Sequence, residues 1–316
     1  MTDKVNYKMS DIKYNCSNVN ICFAVDDNYA PYLKVALYSL LQNRNRGYFY
    51  NIIILHTQLS SDSMKLIMSV AKDENQVEVN FTDVSALASG VDYEINTYVS
   101  IATNYRLLLF SDMFKAYDRM LYLDCDIIVD GDIGKLYFED MNDSLAVAVE
   151  ETDFRQLGYC KKAVFLDKSN PYNVDNYRTD ALKMKHPETY FNAGVILLDL
   201  EKCRKEFDVE YVFGVLQRAK YHYNDQDVLN IIFDGKVKLV DYIWNYHNNV
   251  EFFCSLDPKI YGALYTDVRR KKPNIIHYVS SKKPWNEIVP MGEYYKSYKE
   301  KSDLCGNIDI GREGKQ

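Results

Sequence analysis

The sequence predicts an α/β domain whose central sheet is mixed but mainly parallel and carries helices on its faces. Short runs of apolar, β-branched residues alternate with stretches in which apolar residues recur at helical spacing. That order is typical of parallel strands, because a parallel pair needs a crossover connection, which is usually a helix. The chain has 316 residues, of which 47% are hydrophobic and 26% are charged, and this composition favours a folded globular protein over a disordered one.

The first part of the chain alternates strands and helices. The predicted elements are a strand from Ile21 to Val25, a helix from Tyr32 to Leu40, a strand from Ile52 to Leu55, a helix from Met64 to Val70 and a strand from Val77 to Phe81. Ligands of such sheets bind beyond the carboxyl ends of the strands. We therefore expect Asp26, Asp27 and Asn28, which follow the first strand, to lie near a ligand.

The remaining elements complete one domain with short extensions at both ends. The predicted elements are a helix over Ser100 to Phe114 and strands over Met120 to Leu123, Ile127 to Val129, Ala146 to Val149, Gly194 to Leu198, Val237 to Val240 and Asn274 to Tyr278. We predict an N-terminal extension over 1–19, a domain over 20–286 with an acceptor-side insertion or lid over 152–187, and a C-terminal helix and tail over 287–316.

The charge balance and the cysteines limit the partners and the compartment. The chain has 38 Lys and Arg against 45 Asp and Glu, a formal net charge of −7, so we expect no nucleic-acid binding. The seven cysteines include no C-x-x-C pair, which favours reduced thiols over disulfides or a zinc site. We expect a cytoplasmic protein, in which the polar tail after Trp285 is the candidate for weak peripheral contact with the inner face of a membrane.

Two aspartates follow the predicted strand that ends at Leu123. Asp124 and Asp126 are spaced i, i+2, so both side chains point to the same side of an extended chain and could reach one cation. Close carboxylates raise each other's pKa, and a divalent ion removes that conflict. Mg²⁺ or Mn²⁺ would fit these ligands and keep positions open for phosphate oxygens. A simple polar turn is the alternative explanation of the triplet.

A third candidate ligand lies far downstream. His277 follows another apolar run, and Lys283 and Trp285 come soon after it. An imidazole that joins two carboxylates suits Mn²⁺ better than Ca²⁺, and a nearby lysine would neutralise a diphosphate. Taken alone, a histidine such as His277 would more often be a structural residue than a metal ligand. Together with the aspartates at the other strand ends, it predicts a site for a metal ion and a diphosphate.

Six motifs carry a family resemblance over about residues 20 to 286. They are Phe23 to Tyr29, Asn104 to Leu107, Leu121 to Asp126, Tyr190 to Val195, Asn224 to Asn230, and His277 with Lys283-Pro284-Trp285. In this order they resemble glycosyltransferase family 8, the retaining, metal-dependent enzymes similar to bacterial lipooligosaccharide α-galactosyltransferases and to glycogenin.

The resemblance implies a single Rossmann-like nucleotide-binding domain of GT-A type that uses Mn²⁺ or Mg²⁺ and a UDP-sugar donor. The implied metal ligands are Asp124, Asp126 and His277. The implied donor-binding residues are Ala24, Asp26, Asn28, Arg106, Asp124, Cys125, Asn192, Ser280 and Lys283. Family members usually have glycine where this chain has Ser280, so the loop conformation there is in question. The acidic residue that the family places after the D-x-D motif is either Glu150 or Glu151.

The resemblance also implies a reaction. Glucose or galactose would pass, with retention, from UDP-glucose or UDP-galactose to a glycan, glycolipid or glycoprotein acceptor, and Asp225 and Gln226 would face the sugar at the bond that breaks. An amide is a poor nucleophile, so Gln226 favours same-face attack, in which the leaving phosphate deprotonates the acceptor hydroxyl. Asp225 keeps double displacement open.

Other readings of the same residues are possible. The strand-end D-x-D of Asp124 and Asp126 also resembles phosphatases of haloacid-dehalogenase type, although in those enzymes it normally follows the first strand. A sugar-1-phosphate nucleotidyltransferase would need a glycine-rich basic loop where this chain has Asp26 to Tyr29. A non-catalytic glycan-binding module is the third alternative.

Tyrosine is unusually frequent, with 28 residues against 14 Phe and 2 Trp. A tyrosine combines an apolar ring with a hydroxyl, which suits contact with sugars. We therefore predict that Tyr172 and Tyr177, within the proposed insertion, stack on the acceptor sugar.

Overall fold

The computed structural model of the protein describes residues 17–89, 100–152, 163–167, 170–173, 176–249, 271–279 and 281–305. Its strands are β1 (Asn18–Ala24), β2 (Phe49–His56), β3 (Val77–Asp83), β4 (Arg119–Leu123), β5 (Ile127–Val129), β6 (Ala146–Glu150), β7 (Ala163–Asp167), β8 (Asn170–Asn173), β9 (Phe191–Asp199), β10 (Val237–Leu239), β11 (Tyr246–His247) and β12 (Ile275–His277).

The helices lie between these strands and at the carboxyl end of the described chain. They are α1 (Ala30–Asn43), α2 (Ser61–Met68), α3 (Ser85–Ala88), α4 (Gly134–Tyr137), α5 (Leu200–Glu206), α6 (Val209–Leu216), α7 (Asp225–Ile232) and α8 (Gly292–Cys305). Short 3₁₀ helices span Ile101–Phe110, Asp112–Phe114, Pro187–Thr189 and Tyr242–Trp244, and one π-helical turn spans Tyr177–Ala181. Within the described ranges, no helix is both long and apolar enough to cross a bilayer.

The central sheet has seven strands in the order β10-β6-β9-β4-β1-β2-β3. All neighbouring pairs are parallel except those of β9, which runs antiparallel to both β4 and β6. The beginning of β9 therefore lies at the same edge of the sheet as the ends of β1, β4 and β6. This arrangement confirms the predicted mixed, mainly parallel α/β fold.

Successive residues of the central strands pack against different layers, as the alternation of a strand requires. On β1, Ile21 and Phe23 are fully buried against a layer that includes Leu33 and Leu37 of α1. Cys22 faces the opposite layer, which includes Leu107 of the long 3₁₀ helix. Because both faces of the central sheet are covered, the sequences of these strands are continuous apolar runs.

A smaller sheet and the last helix pack beside the central sheet. β12 pairs with β11 in parallel and with β5 antiparallel, so that His277 lies opposite Ile127. This pairing brings His277 close to the residues that follow β4. Helix α8 packs on α1, where the Nδ2 group of Asn43 donates to the Tyr298 hydroxyl over 2.7 Å.

Two predicted elements differ from those observed. The segment from Ser100 to Phe114 was expected to be one helix, but it forms two 3₁₀ helices because the backbone of Ser111 is extended (φ −79°, ψ 161°); apolar spacing alone does not separate α from 3₁₀ winding. Strand β9 begins at Phe191 rather than Gly194, because Phe191 and Asn192 pair with the end of β6 beyond an irregularity in register.

Candidate active site

A cavity of about 500 Å³ opens at the edge of the central sheet where β1, β4 and β6 end and β9 begins. It is the place that the strand order predicts for a ligand. Its walls carry carboxylate, amide and imidazole groups. The lining residues are Ala24, Val25, Asn28, Tyr29, Tyr32, Ser100, Ala102, Thr103, Arg106, Tyr122, Asp124, Cys125, Asp126, Glu151, Asn192, Ala193, Gly194, His222, Tyr223, Asn224, Asp225, Gln226, His277, Val279, Ser281, Lys283, Trp285 and Asn286.

Three side chains in this cavity form a group that could hold a metal ion. Asp124 and Asp126 follow β4, and His277 ends β12. One ligand atom from each lies within 4.8 Å of the others. The Nε2 atom of His277 is 3.3 Å from Asp126 Oδ1 and 3.7 Å from Asp124 Oδ2. The sequence-predicted metal ligands therefore come together.

The space and the chemistry of this group fit a divalent cation. Two carboxylates and one imidazole are ligands that suit Mn²⁺, with Mg²⁺ as the harder alternative. Gly194 leaves the space open, because a Cβ atom there would lie 2.6 Å from Asp124 Oδ2 and 2.3 Å from His277 Cε1. The Nζ atom of Lys283 lies 2.6 Å from Asp126 Oδ2, so a basic group borders the candidate metal centre.

An aromatic wall stands on the side of the cavity formed by α1. Tyr32 stacks on Trp285 with ring centroids 3.7 Å apart, and Tyr29 meets Trp285 edge to face at 6.3 Å. Such flat, partly apolar surfaces suit a nucleobase or a sugar ring. Asn28 lines the cavity beside this wall.

Arg106 is buried at the back of the cavity instead of extending to solvent. Its Nη2 group donates to Asp124 Oδ1 over 2.9 Å, and its Nε–H group donates to the Thr103 carbonyl oxygen. The Nε atom is also 2.8 Å from Asp225 Oδ2, yet that oxygen makes no hydrogen bond among the described residues. Burial raises the pKa of Asp225 to about 7, although the Arg106 charge acts in the opposite direction. Arg106 thus orients one candidate metal ligand and is the buried counter-charge of Asp225.

Gln226, at the start of α7, is held by hydrogen bonds at both ends of its side-chain amide. Its Oε1 atom accepts from the Ala193 backbone N–H group over 3.0 Å, and its Nε2 group donates to Glu151 Oε2 over 3.1 Å. Glu151 also accepts from Asn192 Nδ2 over 2.7 Å. Of the two acidic residues that end β6, it is therefore Glu151 that lines the cavity, whereas Glu150 is not among the lining residues.

Asp227, the residue that follows Gln226, is enclosed by other groups of the protein. It is fully buried, and its carboxylate accepts from the hydroxyls of Tyr177 and Tyr190 over 2.6 and 2.5 Å and from the Tyr223 N–H group over 2.8 Å. Burial raises the pKa of Asp227 to about 6, while these hydrogen bonds act in the opposite direction. Asp227 thus ties the segment around Tyr177 to the helix that carries Gln226.

This contact shows that the expectation for Tyr177 was wrong. Tyr177 is fully buried with its hydroxyl on Asp227, so its ring is not available to stack on an acceptor sugar. The side chain of Tyr172 lies outside the described residues.

The variant Asp227→Asn should change how stability depends on pH. The folded protein keeps a proton on Asp227 up to about pH 6, whereas an unfolded aspartate loses it near about pH 3.9. The wild type therefore loses stability relative to the uncharged variant as the pH rises through this window. From that shift we expect the free energy of unfolding of the variant, relative to wild type, to rise by about 2 kcal/mol between about pH 4 and pH 7. Urea unfolding at these pH values measures it, and a difference that stays constant with pH would contradict the assignment.

The other sequence-predicted residues are placed as follows. Ala24 and Cys125 line the cavity, and the Cys125 thiol lies 3.2 Å from the Ala24 carbonyl oxygen. The carboxylate of Asp26 is engaged in hydrogen bonds within the protein, since it accepts from the Tyr29 N–H group over 2.9 Å and from the Ser100 hydroxyl over 2.6 Å. Ser280 lies outside the described residues.

Three residues of the site were not singled out from the sequence. Asn245 is fully buried and lies 2.9 Å from His277 Nδ1, but it belongs to none of the six motifs. Asn224 lines the cavity with a left-handed backbone (φ 47°) at the start of α7. Gly194 belongs to the motif Tyr190 to Val195. A glycine at such a position indicates that another group lies close to the backbone.

Comparison with known protein families is consistent with this geometry. A model of glycosyl transferase family 8 matches residues 20–289. A lipopolysaccharide 1,2-glucosyltransferase of Escherichia coli (strain K12) is 27% identical over 295 residues, which are 88% of this chain and 76% of that protein. General stress protein A of Bacillus subtilis (strain 168) is 26% identical over 275 residues, which are 85% of this chain and 87% of that protein.

Solved structures show the same fold. The galactosyltransferase LgtC, in complex with donor and acceptor sugar analogues, matches with a TM-score of 0.68 and 25% identity over 90% of this chain and 96% of that one. The bifunctional glycosyltransferase WbbM matches with a TM-score of 0.80 and 24% identity over 91% of this chain. This chain spans 50% of the WbbM chain.

Proposed function

The chain belongs to glycosyltransferase family 8, and on that premise we propose that it transfers glucose or galactose from a UDP-sugar to a hydroxyl of a glycan, glycolipid or glycoprotein acceptor, with retention at the anomeric carbon. Two named relatives support this pair of sugars: a lipopolysaccharide 1,2-glucosyltransferase and the galactosyltransferase LgtC.

One observation carries the proposal: the candidate metal ligands and the candidate catalytic amide open into the same cavity. Asp124, Asp126 and His277 would hold Mn²⁺ or Mg²⁺, and Gln226 lies in the same cavity wall. A divalent cation bound there would offset the charge of the two phosphates and favour the departure of UDP.

Lys283 would supply a second positive charge to the leaving group. Its ammonium lies against Asp126 and lines the cavity. Negative charge on the diphosphate grows as the sugar–phosphate bond breaks, so Lys283 would bind the transition state more tightly than the substrate. Arg106 would contribute to metal binding indirectly, because its guanidinium donates to Asp124 and fixes the orientation of that carboxylate.

The carboxylates near Gln226 support same-face attack. Asp225 is 2% exposed and faces the Arg106 guanidinium, and Asp227 is enclosed by two tyrosine hydroxyls. A nucleophile for double displacement must instead reach the sugar carbon directly. In same-face attack the acceptor oxygen bonds to the sugar carbon as the bond to phosphate breaks, and the acceptor proton passes to the leaving phosphate oxygen. Double displacement through Asp225 is the second candidate route.

A screen of donor hydrolysis tests the proposal. Purified protein is incubated with UDP-glucose, UDP-galactose and UDP-N-acetylglucosamine, and the release of UDP is measured with Mn²⁺ and with a chelator. We expect slow hydrolysis of UDP-glucose or UDP-galactose that requires the metal. Absence of hydrolysis with every donor, or equal rates in the chelator, would contradict the proposed function. Release of phosphate from a simple phosphate ester would favour the phosphatase alternative.

A further inference from the structure

Asn245 joins the candidate metal centre to Asn192, a cavity residue that shares the acceptor Glu151 with Gln226. It follows the 3₁₀ helix Tyr242–Trp244, directly before β11, and is fully buried. Its Oδ1 atom lies 2.9 Å from Nδ1 of His277, and its Nδ2 group donates to Asn192 Oδ1 over 2.9 Å. A buried amide with both ends engaged has one orientation that satisfies its partners.

A backbone group fixes that orientation. The Gly194 N–H group can only donate, and it donates to Asn192 Oδ1 over 2.9 Å. The Asn192 Nδ2 group then faces Glu151 Oε2, which accepts over 2.7 Å. Because Asn192 presents its oxygen to Asn245, Asn245 must present its NH₂ group in return. The oxygen of Asn245 is thereby turned toward His277.

The orientation of Asn245 decides which nitrogen of His277 carries the proton. An amide oxygen only accepts, so Nδ1 of His277 must be the N–H donor. In a neutral imidazole, Nε2 then has a free lone pair, and Nε2 is the atom 3.3 Å from Asp126 Oδ1. A histidine binds a metal through an unprotonated nitrogen, and the hydrogen bond of the other nitrogen selects that tautomer.

The neighbouring buried histidine does not take this role. His247 lies opposite His277 in the β11–β12 pair, with ring centroids 5.7 Å apart. Its Nδ1 atom is 3.0 Å from the Thr152 hydroxyl, and His277 Nδ1 is already engaged with Asn245. Asn245 is therefore the side chain that sets the tautomer.

We propose that Asn245 is a positioning residue that holds His277 with Nδ1–H and with Nε2 free for the metal, and that couples this state to the orientation of Asn192, which shares the acceptor Glu151 with Gln226. The inference rests on the proposed function, because it assumes that His277 is a metal ligand. We expect the Oδ1 atom of Asn245, which faces His277, to affect metal affinity, and its Nδ2 group, which faces Asn192, to affect turnover.

Two substitutions separate these effects. In Asn245→Leu, which is similar in size but has no acceptor, we expect the dissociation constant for Mn²⁺ to rise by about 10- to 100-fold. In Asn245→Asp the carboxylate still accepts from Nδ1–H, so Mn²⁺ affinity should stay near that of the wild type, whereas kcat should fall because the donor to Asn192 is lost. Asn248→Leu is the matched control. Asn248 is 1% exposed, its side-chain amide lies 3.5 Å from the Pro290 carbonyl oxygen, and its backbone N–H, which the substitution keeps, donates to the His277 carbonyl oxygen over 3.0 Å. We therefore expect the Mn²⁺ affinity of this variant to equal that of the wild type.

Mn²⁺ binding is measured by electron paramagnetic resonance, with melting temperature as the check of folding. In addition, ¹⁵N NMR of histidine-labelled wild-type protein with diamagnetic Mg²⁺ reads the tautomer directly and should show the proton on Nδ1. Equal Mn²⁺ affinity in Asn245→Leu and wild type, or a proton on Nε2, would overturn the inference. If Asn245→Leu does not fold, the NMR tautomer and the Mn²⁺ affinity of Asn245→Asp decide. A wild type that binds no Mn²⁺ would instead overturn the proposed function.

Discussion

Asp126→Asn should lower metal-dependent donor hydrolysis by at least about 10³-fold, since a metal centre supplies several kcal/mol of transition-state stabilisation. Asp126 lies at the centre of the candidate site, 3.3 Å from His277 Nε2 and 2.6 Å from Lys283 Nζ. The amide would remove one anionic ligand and would leave Lys283 without its counter-charge. Both contributions to the departure of UDP would weaken at once.

The test compares UDP release by the variant and the wild type over a range of Mn²⁺ concentrations. Asp130→Asn is the matched control, because Asp130 is an aspartate a few residues downstream that pairs with Lys272 over 2.7 Å and is not a cavity residue. We expect the control to turn over at nearly the wild-type rate. Retention of metal-dependent turnover in Asp126→Asn would show that the metal centre lies elsewhere.

Gly194→Ala should have a comparable effect without altering any ligand. The added methyl group would meet His277 Cε1 at 2.3 Å and Asp124 Oδ2 at 2.6 Å, well inside van der Waals contact. Since Asp124 is held from behind by Arg106 and His277 by Asn245, neither can move away freely. We expect loss of Mn²⁺ binding and of the rise in melting temperature that UDP and Mn²⁺ produce together.

A second glycine provides the control for this substitution. A Cβ atom at Gly214, inside α6, would meet nothing within 4 Å. Gly214→Ala should therefore keep Mn²⁺ binding and raise the free energy of unfolding by up to about 1 kcal/mol, because alanine lowers the entropy of the unfolded chain. Normal Mn²⁺ binding by Gly194→Ala would mean that the site relaxes, and the close fit around the ligands would then be unimportant.

The sequence predicts the scaffold well where local pattern and position agree. Asp124 and Asp126 were expected at the end of a buried strand, and the strand order does bring them to the cavity with His277. The aspartates reach the cavity because β4 ends at the edge that the carboxyl ends of the parallel strands share, and His277 reaches it because β12 pairs with β5, which directly follows the aspartates. The motif order then extended the prediction to Gln226 and Lys283, which no periodicity would have selected.

The roles that the sequence did not predict depend on long-range contacts. Arg106 sits in a leucine-rich stretch and would ordinarily extend to solvent, but it is 3% exposed because it pairs with the buried Asp225 and the partly exposed Asp124. The polar sequence around Tyr177 suggests an exposed side chain, whereas in the fold Tyr177 is buried and its hydroxyl donates to Asp227. Asn245 carries no signal of its own, since its role depends entirely on which histidine nitrogen it meets across 32 residues of chain.

The reversed direction of β9 also determines when the site exists during synthesis. Asn192 and Gly194 reach the cavity only after β9 has been inserted between β4 and β6, and His277 and Lys283 leave the ribosome later still. Because these pairings are distant in sequence, they form late and slowly. We expect a nascent or shortened chain that ends before His277 to form most of the central sheet, whose last strand in chain order ends at Leu239, and yet to lack one of the three candidate metal ligands.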